Sequence, residues 1–301
     1  MSLAVQWANQ AMNLNIVNVN ATSALERSNS DSSVGEPQLA SAVDRRRVAV
    51  ADTGVDVIRI SGILVSRAAH MDPCTPMTSY EGVRSAVNQA VADPLVEHIV
   101  LDIDSAGGTA SGAFELADDI RAASLVKPVT ALANFSAYSA AYLIAAAATE
   151  VIVSATSGVG SIGVRADHLD TSKADEQKGI KVTTVFAGAH KNDLTPHEPI
   201  NDQSMKVLTD MVQSNYARFV DAVARYRGMT TQAVKDTEAG LYFGKQAVDA
   251  GLANTVESPQ AAVNRIAAQV RGSRADRSPS GSSTRRTVAT RAAAMNMRVR
   301  I

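Results

Sequence analysis

Apolar residues follow two alternating periods from about Val55 to Val270. Val57, Ile58, Ile60, Ile63 and Val65 predict a strand, a Ser-Gly turn and a further extended piece. Val83, Ala86, Val87, Ala90 and Val91 recur at helical spacing. His98 to Asp104 is a short apolar run ending in acids, the pattern of a buried parallel strand. A helix fits 113–125, with Phe114, Ala117, Ile120 and Ala123 on one face. Residues 128–133 predict a strand and 140–148 an alanine-rich helix. Two more strands are expected at 150–153 and 181–186. Met205, Leu208, Val212, Tyr216, Phe219, Val220 and Val223 mark a long amphipathic helix, and 261–270 one more. Strands alternating with helices of ten or more residues predict an α/β fold, a mainly parallel sheet covered by helices.

The ends differ from this middle. Residues 1–50 are polar and mixed, and Ser28 to Glu36 is expected to be a flexible connector. From Arg271 the chain carries eight arginines against one aspartate and loses its apolar stripe until its end, so a disordered basic tail is expected. The division is therefore an extension over 1–50, a folded domain over 51–270 and a tail over 271–301.

Composition narrows the chemistry. With 46% hydrophobic and 20% charged residues the chain can bury a sizeable core. A net charge of −1 gives no global reason to expect nucleic acid binding, although the basic tail could contact phosphates weakly. The single cysteine, Cys74, excludes an intrachain disulfide framework and a cysteine-rich zinc site. No apolar run approaches the ~20 residues of a membrane span, and the first residues make a poor signal peptide.

Three segments carry candidate chemistry. Ser105-Ala106-Gly107-Gly108 follows the 98–104 strand, and paired glycines there can aim backbone N–H groups at a ligand or simply make a tight turn. Ser136 to Tyr142 joins a strand to the alanine-rich helix. A serine at that junction is either an N-cap or a nucleophile favoured by the helix dipole. Gly158 to Val164 is a glycine-rich loop, followed downstream by Gly188-Ala189-His190-Lys191-Asn192, and no Walker pattern completes it.

Taken in order, IVLDIDSAGG, SAYSAAYLIAAAA, EVIVSATSGVGSIGV, GAHKND and EAGLYFGKQAVDAGLAN resemble the S49 peptidases, over roughly residues 50–270. That family comprises signal peptide peptidase A enzymes and phage head maturation proteases. The resemblance implies a Clp protease/crotonase-like fold and a Ser-Lys dyad needing no cofactor and no metal. Ser139 falls at the family's nucleophile, with Ala140 and Ala141 where the family has glycines. Lys191 falls at the general base and Ser161 at the serine that orients it. Gly107, Gly108 and the Ala140 N–H fall at the oxyanion hole. Lysine is a base only when neutral, so this chemistry needs its charged form disfavoured by burial and nearby dipoles.

The family's rings can draw catalytic residues from adjacent subunits, which implies a homo-oligomer and a Lys191 that serves a neighbour's Ser139. With no anchor and a Ser/Arg-rich tail, the sequence is most similar to the phage branch. That implies cleavage of scaffold and major capsid protein precursors, in the host cytoplasm or inside the prohead. The alternatives are a soluble signal-peptide-peptidase-like protease, a crotonase-like acyl-CoA enzyme, an idle assembly protein, or a Ser-His-Asp site using His70, His98, His168, His190 or His197.

Overall fold

The computed structural model describes residues 42–67 and 76–277. The connector at Ser28 to Glu36, His70, Cys74 and the end of the basic tail lie outside the described residues. Among the described residues, those from Ala49 onward belong to one compact unit. That unit contains the sheet and the site.

Helix α1 (Ala42–Thr53) leads into strand β1 (Val55–Val65), and β2 (Met77–Ser79) into helix α2 (Tyr80–Ala92). Strand β3 (His98–Gly108) is followed by α3 (Ala113–Ser124), then β4 (Val129–Tyr138), α4 (Ala140–Ala146) and the short strands β5 (Glu150–Val153) and β6 (Gly158–Gly160). A short helix, α5 (Ser172–Gln177), precedes the long α6 (Asp202–Arg227) and α7 (Thr231–Lys235). The described chain closes with β7 (Leu241–Phe243), α8 (Lys245–Asp249), β8 (Thr255–Val256) and α9 (Pro259–Arg277).

The sheet runs β2-β1-β3-β4-β5-β8, all parallel, as the alternation of strands and helices requires. Strand β4 serves two neighbours. Its first half pairs with β5, and Ser136, Ala137 and Tyr138 pair with β6. Strand β7 then closes on β6 in antiparallel register.

Each face has its own core. One is built on Ile58, Ile60, Ile99, Leu101 and Ile103 of the sheet with Val83, Leu116, Ile120 and Phe219 of the helices. On the other face α9 lays Ala262, Ile266 and Val270 over Val55, Val100, Leu132 and Ile152. Helix α4 is buried at all seven positions, which explains its small residues: neighbours can pack against it all round. Its Tyr142 hydroxyl donates to the Leu252 carbonyl at 2.9 Å, so its one polar atom is satisfied. Among the described residues no helix is long and apolar enough to cross a membrane.

Three sequence expectations change. The Ser-Gly pair at 61–62 does not reverse the chain; β1 runs through it with a register shift beside β3. Gly62 has φ +74°, and a Cβ there would lie 1.9 Å from the Pro76 carbonyl oxygen. The glycine thus permits a close strand approach rather than a turn. The strand expected at 181–186 enters no ladder among the described residues, and the whole stretch is exposed, Val185 to 93%. Its β-branched composition favours a strand, but no described edge of the chain pairs with it. Finally, α9 continues past Arg271 to Arg277, because Arg274 and Arg277 both reach Glu97.

His98 gives the fold a pH signature. Its Nε2 lies 2.9 Å from Thr130 Oγ1 at the start of the sheet. Burial, with a smaller effect from the Arg265 charge, pushes its pKa from 6.5 down to about 4. The unfolded chain then takes up a proton that the folded chain refuses. Stability is full above about 6.5 and falls as pH drops toward 4, by about 2 kcal/mol once partial exposure is allowed for. Chemical denaturation at pH 7 and pH 4.5 checks this, and His98→Gln should flatten that part of the difference.

Candidate active site

The site is built where β4 ends. Tyr138 closes the strand, Ala140 opens α4, and Ser139 makes the whole turn alone at φ 53°, ψ −124°. A non-glycine residue there carries roughly 1–3 kcal/mol of backbone strain, which the surroundings must hold in place. They do so with two bonds: Ser139 N–H donates to the Gly160 carbonyl at 2.9 Å, and Leu143 N–H donates to the Ser139 carbonyl at 3.0 Å. The serine stands at the N-cap position, but its side chain makes no capping hydrogen bond. Among the described residues its hydroxyl has no partner at all. An ordinary N-cap would spend that oxygen on an N–H of the first turn. Here the half-buried Oγ is left available at the carboxyl edge of a parallel sheet.

Two of the predicted donors gather around it. Gly107 has φ +102°, and a Cβ there would sit 2.8 Å from Ser139 Cβ and 2.9 Å from the Tyr138 carbonyl oxygen. Only glycine lets β3 come this close to the turn. The Ala140 N–H lies 3.1 Å from the same point and belongs to the first turn of α4, where N–H groups have no intrahelical acceptor. Gly108 serves the opposite contact, since a Cβ on it would lie 1.9 Å from the Leu64 carbonyl oxygen of β1. The Gly107 N–H is not idle: it donates to the buried Ser105 hydroxyl at 3.1 Å.

Ser161 leaves β6 beside Ser139. Tyr138 pairs with Gly160, so the two serines follow adjacent parallel strands at one level, both at φ 53°. The Ser161 N–H donates to the Gly240 carbonyl at 2.8 Å and its carbonyl accepts from Gly163 N–H at 2.9 Å, which fixes the bend. Lys191 stands apart. It lies in an exposed turn closed by its N–H to the Gly188 carbonyl at 3.0 Å, and its amine makes no hydrogen bond or ion pair among the described residues. One chain therefore brings together Ser139, Gly107, Ala140 and Ser161, without a bond from Lys191 to either serine.

The profile of peptidase family S49 matches residues 121–272. The chain belongs to peptidase family S49. This S49 chain is 40% identical over 201 residues to the capsid assembly protease C of Escherichia phage lambda, covering 67% of the chain and 46% of that protein. It is 37% identical over 214 residues to the head-tail preconnector protein GP5 of Enterobacteria phage P21, covering 71% and 43%. Against the chloroplastic serine protease SPPA of Arabidopsis thaliana it is 25% identical, covering 70% and 31%. It thus spans less than half the length of each of these relatives. Among solved structures, a ClpP1 variant from Listeria monocytogenes is similar at TM-score 0.44 and 11% identity, covering 73% of this chain and 99% of that one.

Of the four histidines among the described residues of the S49 chain, three are occupied elsewhere. His190 Nδ1 pairs with Asp193 at 2.7 Å and His197 Nδ1 with Asp175 at 2.8 Å, while His98 bonds Thr130. The Nε2 of His168 is buried without a partner among the described residues. None of these four reaches Ser139 by a hydrogen bond.

A cleft of about 380 Å³ opens between the two segments that leave the site. Ala110, Ser111, Gly112 and Phe114 follow Gly107 and Gly108 along one wall. Val164, Arg165 and Ala166 follow Ser161 along the other, with Met211 and Asn215 of α6 completing it. The backbone N–H groups of residues 164–166 have no hydrogen-bond acceptor among the described residues. The sequence pointed to the glycines and serines that bend the chain but not to this cleft or to the bonds of the Ser105 hydroxyl, because both arise from contacts between segments distant in sequence.

Proposed function

We propose that the chain is a serine endopeptidase working through a Ser139–Lys191 dyad. The observation that supports this most is the strained, uncapped Ser139, with Gly107 and the start of α4 packed against it. A serine hydroxyl becomes an effective nucleophile when a base takes its proton and fixed donors receive the oxyanion. The Ala140 N–H and the Gly108 end of the Gly107–Gly108 turn supply the donors in this reading, since the Gly107 N–H is held by Ser105. Ser161, one strand over, orients the base.

Lys191 comes from a second copy of the chain. Its side chain is exposed and makes no hydrogen bond or ion pair among the described residues, in an S49 unit whose own serine is left without a base. Peptide substrate lies extended in the cleft, where the free N–H groups of 164–166 offer it the partners of a neighbouring strand. In this reading small side chains lie beside the scissile bond.

The phage relatives direct the reading of the substrate. One is named a capsid assembly protease. By analogy this chain trims precursor proteins of a phage head, scaffold and major capsid protein, inside the prohead. The tail beyond Arg277 then contacts acidic precursor surfaces, or is itself removed. The alternative is a soluble bacterial peptidase of the signal peptide peptidase A type, acting through the same residues on other proteins. Incubation of the purified chain with a peptide library rich in small residues tests the reading. Internal cleavage beside alanine, glycine or serine is expected, and release of single terminal residues, or no cleavage of any peptide, would overturn it.

A further inference from the structure

Ser105 lies one strand away from the nucleophile and is 2% exposed. It sits in a bulge. Ser61 pairs with Asp104 and Ile63 with Gly107, so β3 spends one more residue than β1 over this step. On its other side β3 slips again, since Ile103 pairs with Ala133 but Ser105 with Ala137. The double irregularity ends the regular ladder just before Gly107 and Ser139 meet.

The Ser105 hydroxyl bridges the irregular rung. It donates to the Gly62 carbonyl of β1 at 2.6 Å and accepts from the Gly107 N–H at 3.1 Å. A hydroxyl has one donor and two acceptor positions, so both bonds are made by one group without conflict. Its carbonyl partner is itself fixed, because Gly62 is held against the Pro76 backbone. Thr109 N–H to the Leu64 carbonyl at 2.9 Å resumes the β1 contact immediately afterwards. Gly107 is therefore anchored to β1 at its N–H and pressed against Ser139 Cβ, Tyr138 and the Ala140 N–H on its other side.

We propose that Ser105 is a positioning residue for peptide hydrolysis: its buried hydroxyl pins the β3 bulge to Gly62 and holds the Gly107 N–H, and so sets how the Gly107–Gly108 turn lies against Ser139 and the Ala140 N–H. This rests on the reading of Ser139 as nucleophile. Donors aimed at the oxyanion act on the transition state far more than on bound substrate. Loosening Gly107 then lowers the rate at saturation and leaves ground-state binding alone. An amide displaced by about 1 Å is enough to cost on the order of a hundredfold.

The test uses the full-length chain and an alkyl fluorophosphonate, which phosphonylates an activated serine and needs the same donors. Ser105→Ala is expected to lower the limiting labelling rate ten- to a hundredfold, with the half-saturating concentration unchanged within twofold. If the alanine variant does not fold, Ser105→Cys is read by the same split; it fills the space but hydrogen-bonds weakly. A limiting rate within twofold of wild type, or a rate loss matched by weaker half-saturation, overturns the inference. The two readings fail separately. A wild-type chain that forms no Ser139 adduct defeats the nucleophile, whereas a labelled wild type with an equally fast Ser105→Ala variant defeats the positioning role alone.

Discussion

Ser139→Ala is expected to abolish peptide cleavage while keeping the melting temperature of the wild-type chain. The loss should exceed about 10⁴-fold, because an unassisted site keeps only what its donors and binding contribute. Stability should be spared for a local reason. The side chain of Ser139 makes no hydrogen bond, and alanine at φ 53° bears the same backbone strain as serine. Glycine removes that strain, so Ser139→Gly is expected to be equally inactive and about 1 kcal/mol more stable. Turnover and thermal melts on the two variants check both halves. Activity retained by either would remove Ser139 from the mechanism.

Lys191 carries the second large effect, and its form is unusual. Lys191→Ala should be inactive, and Lys191→Arg should not recover, because a guanidinium does not give up its proton at working pH. Neither change should disturb folding, since the side chain is exposed and makes no hydrogen bond or ion pair among the described residues. Co-expression of Ser139→Ala with Lys191→Ala is the informative case. When serine and lysine come from different copies, random assembly pairs an intact serine with an intact lysine in about a quarter of sites, and activity returns to that level. When both come from one copy, the mixture stays inactive.

The parts of the fold that repeat regularly were open to reading from sequence. The 98–104 run, the helix at 113–125 and the alanine-rich α4 all carry their period in their own residues. The glycine pair and the serine between strand and helix also pointed to the place where Gly107 packs against Ser139. What stayed hidden depends on partners. Gly158–Gly160 has the composition of a loop and becomes a strand because the end of β4 and Leu241–Phe243 offer it edges. Helix α1 has no apolar stripe to announce it. Conversely, 181–186 has a strand's composition and lacks an edge within the described chain. The positive φ of Ser139 and Ser161 is likewise a product of packing, since serine by itself avoids that conformation.

Identifying the residue that an alkyl fluorophosphonate modifies tests the nucleophile most directly. Digestion of the labelled wild-type chain and mass spectrometry should place one phosphonyl group on Ser139, and the Ser139→Ala chain should take up none. A wild-type chain that cleaves peptides and carries its adduct on another serine, or on none, would contradict the mechanism proposed for this site.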